Sequence, residues 1–200
     1  MLKTNATVIA GKSSARIVAD YDIATESYLV DLDAHNLNVN QFVHLSEQAT
    51  ITGKLYAKGR GFNFDSPHTY ADAKVNLDKA SYGNFFLTNT DAVGSLKNHR
   101  LGLVMDTDDP RLQAHLSLDG TMTGKGVKAD AVLDLPYADV KALGFSADPL
   151  TATAAHGTFS ASSNFGDLFL VDMTVQGVQV TMNDKDSLVT DLFDLYAETT

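Results

Sequence analysis

Apolar and polar residues alternate with a period of two along most of this 200-residue chain, and no other feature limits its fold as strongly. Successive side chains of a strand point to opposite faces, so such a segment has one apolar and one polar face. A helix would need a spacing near 3.6. In residues 127–135 (Val-Lys-Ala-Asp-Ala-Val-Leu-Asp-Leu) every odd position is apolar and the even ones are mostly polar. Residues 112–119, 71–78 and 171–176 follow the same rule. Gly177 interrupts the last of these, and 178–183 resumes it. Shorter candidates are 7–9, 15–19, 28–32, 51–57, 85–88, 101–105 and 151–160. Turn-forming clusters fall between them: Tyr82-Gly83-Asn84, Asp108-Asp109-Pro110, Asp119-Gly120, Asp148-Pro149 and Asn164-Phe165-Gly166-Asp167. Strands at a spacing near ten residues, joined by such turns, predict antiparallel meanders rather than parallel β-α-β units. The expected fold class is all-β and mainly antiparallel, an elongated curled sheet or open β-groove of repeated meanders with one or two short helical turns.

The helical candidates are short. Residues 38–45 place Val39, Phe42, Val43 and Leu45 at helical spacing, and 137–144 place Tyr137, Val140 and Leu143 so, with Gly144 as a stop. The segment 187–196 fits a helix as well as a strand. The first two sit in matching surroundings, each after an alternating strand and before a Thr-rich strand containing glycine. Val39 precedes Val140 by 101 residues and Phe42 precedes Leu143 by the same number, whereas Gly53 precedes Gly157 by 104. This spacing suggests one continuous β-rich segment, 1–200, with repeat units of about 100 residues over 26–125 and 126–200, the second incomplete.

Charge and composition narrow the function. The chain has 25 acidic and 15 basic residues, a net charge of −10. A surface of that sign repels phosphate, so nucleic acid is not an expected partner. There is no cysteine, which excludes disulfides, thiol catalysis and cysteine-ligated metals. No apolar run has the length of a membrane span, and the first residues lack the pattern of a signal peptide. The expectation is an acidic soluble chain, or a piece of something anchored.

Catalytic signatures are missing. Histidines 35, 44, 68, 99, 115 and 156 form no pair at zinc spacing, and His115 alternates onto the polar face beside Gln113 and Ser117. Residues 106–109 lack the glycine and the glutamate of a calcium loop and suggest an acidic loop before Pro110. Residues 120–126 have glycines and a lysine but not phosphate-loop spacing, and suggest two strands meeting at a turn. Ser13-Ser14 and Ser162-Ser163 lack a hydrolase elbow. No enzyme, cofactor or metal site is expected.

Three stretches carry a resemblance. They are the Asn-Val-Asn-Gln-Phe turn at 38–42, Gly-Lys-Leu-Tyr-Ala-Lys-Gly-Arg-Gly-Phe-Asn-Phe-Asp at 53–65, and Ala-Lys-Val-Asn-Leu-Asp-Lys-Ala-Ser-Tyr-Gly-Asn-Phe-Phe-Leu at 73–87. Together they resemble the periplasmic repeats of the translocation and assembly module family (TamB), within the AsmA-like group, in its Bacteroides-type version, over roughly 26–185. The resemblance implies a long curled sheet with an apolar inner face, in a periplasmic protein anchored in the inner membrane. It implies phospholipid passage between the membranes and support of outer-membrane protein assembly. Phospholipid acyl chains would be the ligands. An outer-membrane β-barrel assembly protein would be met by parts of the protein outside this chain. The chain lacks the anchor and the length for such a bridge.

Small inward residues such as Ala71, Ala73, Ala114, Ala129, Ala131, Ala152 and Ala154 would leave room for an alkyl chain. On this reading the trough is lined by Leu116, Leu118, Ala129, Ala131, Leu133, Val171, Met173 and Val175. The alternative is a structural or adhesive β-scaffold with a self-packed core and no lipid binding. Only that alternative requires the apolar face to be covered.

Overall fold

In the computed structural model, which describes residues 2–10, 13–41, 43–166, 169–182 and 186–199, the chain forms one antiparallel sheet of twelve strands. The strands are β1 (Leu2–Ala10), β2 (Ser13–Asp22), β3 (Ser27–Asn38), β4 (Ala49–Arg60), β5 (Tyr70–Tyr82) and β6 (Phe85–Lys97). They continue with β7 (Arg100–Asp109), β8 (Leu112–Thr123), β9 (Gly126–Asp139), β10 (Leu150–Ser163), β11 (Phe169–Met182) and β12 (Asp186–Thr199). Spatial order equals chain order, the all-antiparallel meander expected from the alternation and the turns. β1 and β12 do not pair with each other among the described residues, so the sheet is curled but open.

Several local expectations are corrected. The helical segments shrink to single turns. Val39–Gln41 is a 3-10 turn, and Tyr137 belongs to β9, with a turn over 140–144. That turn is held by Asp139, whose carbonyl accepts from Leu143 N at 3.0 Å and whose carboxylate accepts from Ala142 N at 2.9 Å. Residues 187–196 are strand, paired along β11. Gly177 does not end a strand: β11 runs through it with φ at +66°, a conformation glycine adopts without steric cost. Asp119-Gly120 is inside β8 rather than at a turn, and 106–109 are the end of β7 rather than a loop. Phe42 of the first helical candidate, Asp167 of the last turn cluster and Asn183 at the end of 178–183 lie outside the described residues.

The interior is unusual for a domain of this length. Among the described residues the buried apolar side chains are Ala15, Ala34, Ala49, Ala114, Ala138 and Ala155, with only Leu96 and Leu143 larger. A sandwich or closed barrel would bury interdigitating large side chains. Here small residues lie where strands bend, and no second layer of strand or helix covers the apolar face among the described residues.

The bends form a line across the sheet. Asn36 in β3 has φ +50° and sits at the register shift opposite Thr52-Gly53 in β4. A further shift between Thr52 and Gly53 faces Asp78 of β5, and Asp78 faces Asn89 of β6, also at φ +50°. The line passes through the shift at Gln113/His115 in β8 to Pro136 in β9, Ala154 in β10 (φ +58°) and Gly177 in β11. Bulges and left-handed residues turn a strand and change which face its next side chains take. Next to this crease lie several enclosed side chains, among them Ala15 at 1% exposure, Ala34 at 2%, Thr90 at 4% and Thr107 at 5%. A Cβ added to Gly53 would fall 2.3 Å from the Asn76 carbonyl oxygen, so only glycine permits this approach of β4 to β5.

Candidate functional site

Backbone register assembles the apolar positions of different strands into rows. The row through Leu133 runs Ala6, Ile17, Leu32, Leu55, Val75 and Ala92 from β1 to β6. It continues through Met105, Leu116, Leu133, Gly157 and Val175 to β11. A second row, two residues along each strand, passes through Leu118, Ala131, Phe159 and Met173. A third passes through Gly120, Ala129, Ala161 and Val171. No Asp, Glu, Lys, Arg or His occurs on these three rows between β1 and β11. At strand spacing and rise the wall measures roughly 14 Å by 48 Å.

The eight residues expected to line a trough therefore share one face. Leu116 pairs with Leu133, Leu118 with Ala131, and β10 separates them from Val171, Met173 and Val175 of β11. Sequence reading missed the β10 contribution, Gly157, Phe159 and Ala161. Alternation is blurred there because Ala, Thr and Ser differ little in hydropathy; the signal available was Phe159 itself. Ala154 is misplaced by that reading, and Ala152 lies outside the three rows. Ala154 is the left-handed, exposed residue of the crease, and Ala152 lies beyond it, opposite Ala138. Ala114 is buried at the crease rather than on the open wall.

Exposure separates the two faces. In β9, Ala129, Ala131, Leu133 and Leu135 are half-buried, whereas Lys128, Asp130, Val132 and Asp134 are exposed. The apolar side is thus the more crowded of the two, without being enclosed. The outer face is held by cross-strand polar pairs: Lys3–Asp20 at 3.7 Å, Lys54–Asp33 at 3.6 Å and Ser160–Asp130 at 2.6 Å. His115 Nδ1 meets Asp106 Oδ1 at 2.6 Å and His156 Nδ1 meets Asp134 Oδ1 at 2.6 Å, which puts both imidazoles on the solvated face. Among the described residues no three His, Asp or Glu side chains converge as a metal site, and no helix is long and apolar enough to cross a membrane. A hollow of about 310 Å³ beside the β8–β9 hairpin is lined by Thr121, Lys125, Lys128 and Ser162 and lies apart from the apolar rows.

Loops close over both strand ends. At one end, the ten-residue connections 39–48 and 140–149 lean on the β5–β6 hairpin. Gly83 N donates to the Gln48 carbonyl at 2.8 Å, Ser46 Oγ bonds Tyr82 OH at 2.6 Å, and the Phe145 and Phe85 rings are 5.9 Å apart. Asn40 ties its own loop, donating to the Glu47 carbonyl and accepting from Ala49 N, both at 2.7 Å. At the other end, loop 61–69 is a strap. Gly61 N donates to the Glu26 carbonyl at 3.0 Å, and the Phe62 ring stacks on Tyr28 at 5.2 Å and 12°. Further along, the Phe64 carbonyl lies 2.8 Å from His99 Nδ1, and Asp65 Oδ1 accepts from Gly124 N at 2.9 Å. This one loop thus links the ends of β2–β3, β6–β7 and β8–β9. Burial pushes the Tyr28 hydroxyl above its usual pKa, with a smaller push from Tyr70.

One ionic cluster sits beside the crease. Asp109, 1% exposed, accepts from Thr88 N, Thr88 Oγ1, Arg111 N and Arg111 Nε, each at 2.8 Å, and from Arg111 Nη2 at 2.7 Å. Arg111 also donates to the Phe86 carbonyl, and its guanidinium lies 3.4 Å from the centre of the Phe86 ring. Hydrogen bonds from the Arg111 side chain hold the Asp109 carboxyl well below the usual carboxylate range against the opposing effect of burial. Arg111 is raised in turn by the Asp109 hydrogen bond. Asp109 is filled by donors from Arg111 and Thr88, and Arg111 is held by Asp109 and the Phe86 carbonyl and ring, which makes the cluster a structural clasp.

No protein family, curated protein or solved structure was found to match the chain.

Proposed function

We propose that the chain is a non-enzymatic segment of a TamB-type, AsmA-like envelope protein, in which the apolar trough receives phospholipid acyl chains. In this reading it supports lipid transport between inner and outer membranes, and outer-membrane biogenesis, from a periplasmic position. The anchor and the contact with an outer-membrane β-barrel assembly protein belong to other parts of the protein. The observation that supports this reading is the wall itself: three uncharged rows crossing eleven strands, with no covering layer among the described residues. Removing such a surface from water is worth about 25 cal/mol per Å², which gives an acyl chain a driving force without any polar partner. Headgroup selectivity would be weak, since the rows carry no base to pair with phosphate. The self-packed scaffold alternative requires something to cover these rows.

The test is native mass spectrometry with lipid extraction on the chain purified from bacterial cells. Bound phospholipid is expected for the unaltered chain and for Val132→Asp, whose substitution lies on the exposed outer face of the same strand. Leu133→Asp, one residue along, is expected to lose it. A lipid-free unaltered chain, or equal lipid content in both variants, would overturn the reading.

A further inference from the structure

The wall is not uniform along its length. Between β1 and β11 the three rows carry aromatic side chains at Tyr21, Tyr28 and Phe159. Tyr28 lies flat over Gly59 of β4, where an added Cβ would fall 2.3 Å from the tyrosine oxygen. The strap adds Phe62 on top of Tyr28, with Tyr21 6.4 Å away, so three rings fill the trough at β2–β4. On the far side the Phe159 ring folds back over Gly157, 3.0 Å from where its Cβ would be. The five strands between, β5 to β9, present only Gly, Ala, Val, Leu and Met on these rows.

Resting on the acyl-binding reading above, we propose that β5–β9 form a bounded seat whose length limits the chain it can cover. Tyr28 with Phe62 forms one stop and Phe159 the other. The seat spans roughly 19 Å across the four strand spacings from β5 to β9. Tyr28 is fixed by the sheet, whereas Phe62 is 64% exposed and is carried by the strap, so it is the movable stop. The latch is the bond from Gly124 N to the Asp65 carboxylate, which ties the strap to the β8–β9 turn. Each methylene seated in the trough raises affinity about four-fold, and methylenes beyond a stop add nothing.

The experiment uses the intact chain and a homologous series of saturated fatty acids from octanoic to icosanoic, each kept below its micelle concentration, with affinity measured by displacement of a fluorescent fatty acid. In the unaltered chain affinity is expected to climb with length and then level off. In Phe62→Ala, an exposed position where folding should be retained, the plateau is expected to move to longer acids. Asp65→Ala is expected to shift it the same way by releasing the strap, and Phe159→Ala to shift it from the other side. Affinity that climbs through the whole series, or a plateau unmoved in all three variants, would overturn the stops and leave acyl binding standing. Failure to bind at every length would overturn the acyl-binding reading and the seat with it.

Discussion

The crease and the open wall belong to the same strands, yet they are built on opposite principles. At the crease, side chains are small and enclosed: Ala15 pairs with Ala34, Thr90 with Thr107, and Asp109 is clasped by Arg111 and Thr88. On the wall, Leu116, Leu133, Met173 and Val175 are larger and only half-buried. Close packing transmits strain and leaves no room for change, whereas a half-exposed surface tolerates it. The difference assigns close packing to the crease and leaves the wall as the face on which the proposed ligand would lie.

The sharpest way to break that division is at Asp109. Asp109→Ala leaves the Arg111 guanidinium without its carboxylate and is expected to cost about 3–5 kcal/mol in urea unfolding. The same group makes stability depend on pH. Its folded pKa is depressed, so its contribution is fully present above the unfolded carboxyl value near ~3.9 and is lost as pH falls through the folded value. The unaltered chain should therefore lose stability through this acid window, and the alanine variant should lose less there. Equal acid sensitivity in the two would remove Asp109 from the account.

Overpacking the crease comes next. Ala34→Leu, opposite Ala15, forces extra atoms into a position only 2% exposed and is expected to cost about 1–3 kcal/mol by the same measurement. A neutral result would mean that the crease can open. The smallest effect is expected on the wall. Leu133→Ala removes only half-buried methylenes and should cost roughly 1 kcal/mol, below the 2–5 kcal/mol usual for an enclosed leucine. A loss comparable to that of Ala34→Leu would show that something covers the wall in solution.

Much of the sheet is legible in the sequence because alternation is a local property. Residues 127–135 show their two faces without any neighbour, and adjacent strands in a meander follow from short turns. Other parts are not legible. β6 runs to Lys97, but beyond Thr88 it contains Asn89, Gly94 and Ser95, which carry little strand signal; pairing with β5 and β7 holds it extended. Likewise Asp119-Gly120 has turn chemistry but is paired on both sides inside β8. The spacing of the two loops gives a further case. Residue type matches Gly53 to Gly157, yet the crease residue of β10 is Ala154, 101 residues after Gly53, the same interval that separates Val39 from Val140.

The sequence by itself determined that the chain is antiparallel sheet and which side of each strand is apolar, since both depend on period and turn chemistry within a few residues. The common face of Leu116, Leu133 and Val175 followed once the register was known. Only the tertiary structure decided that the strands bend along one line, that Asp109 is buried in a clasp rather than exposed in a loop, and that Phe62 stacks on Tyr28. Those features join residues tens of positions apart, where the register of intervening strands, and not any local preference, brings side chains together.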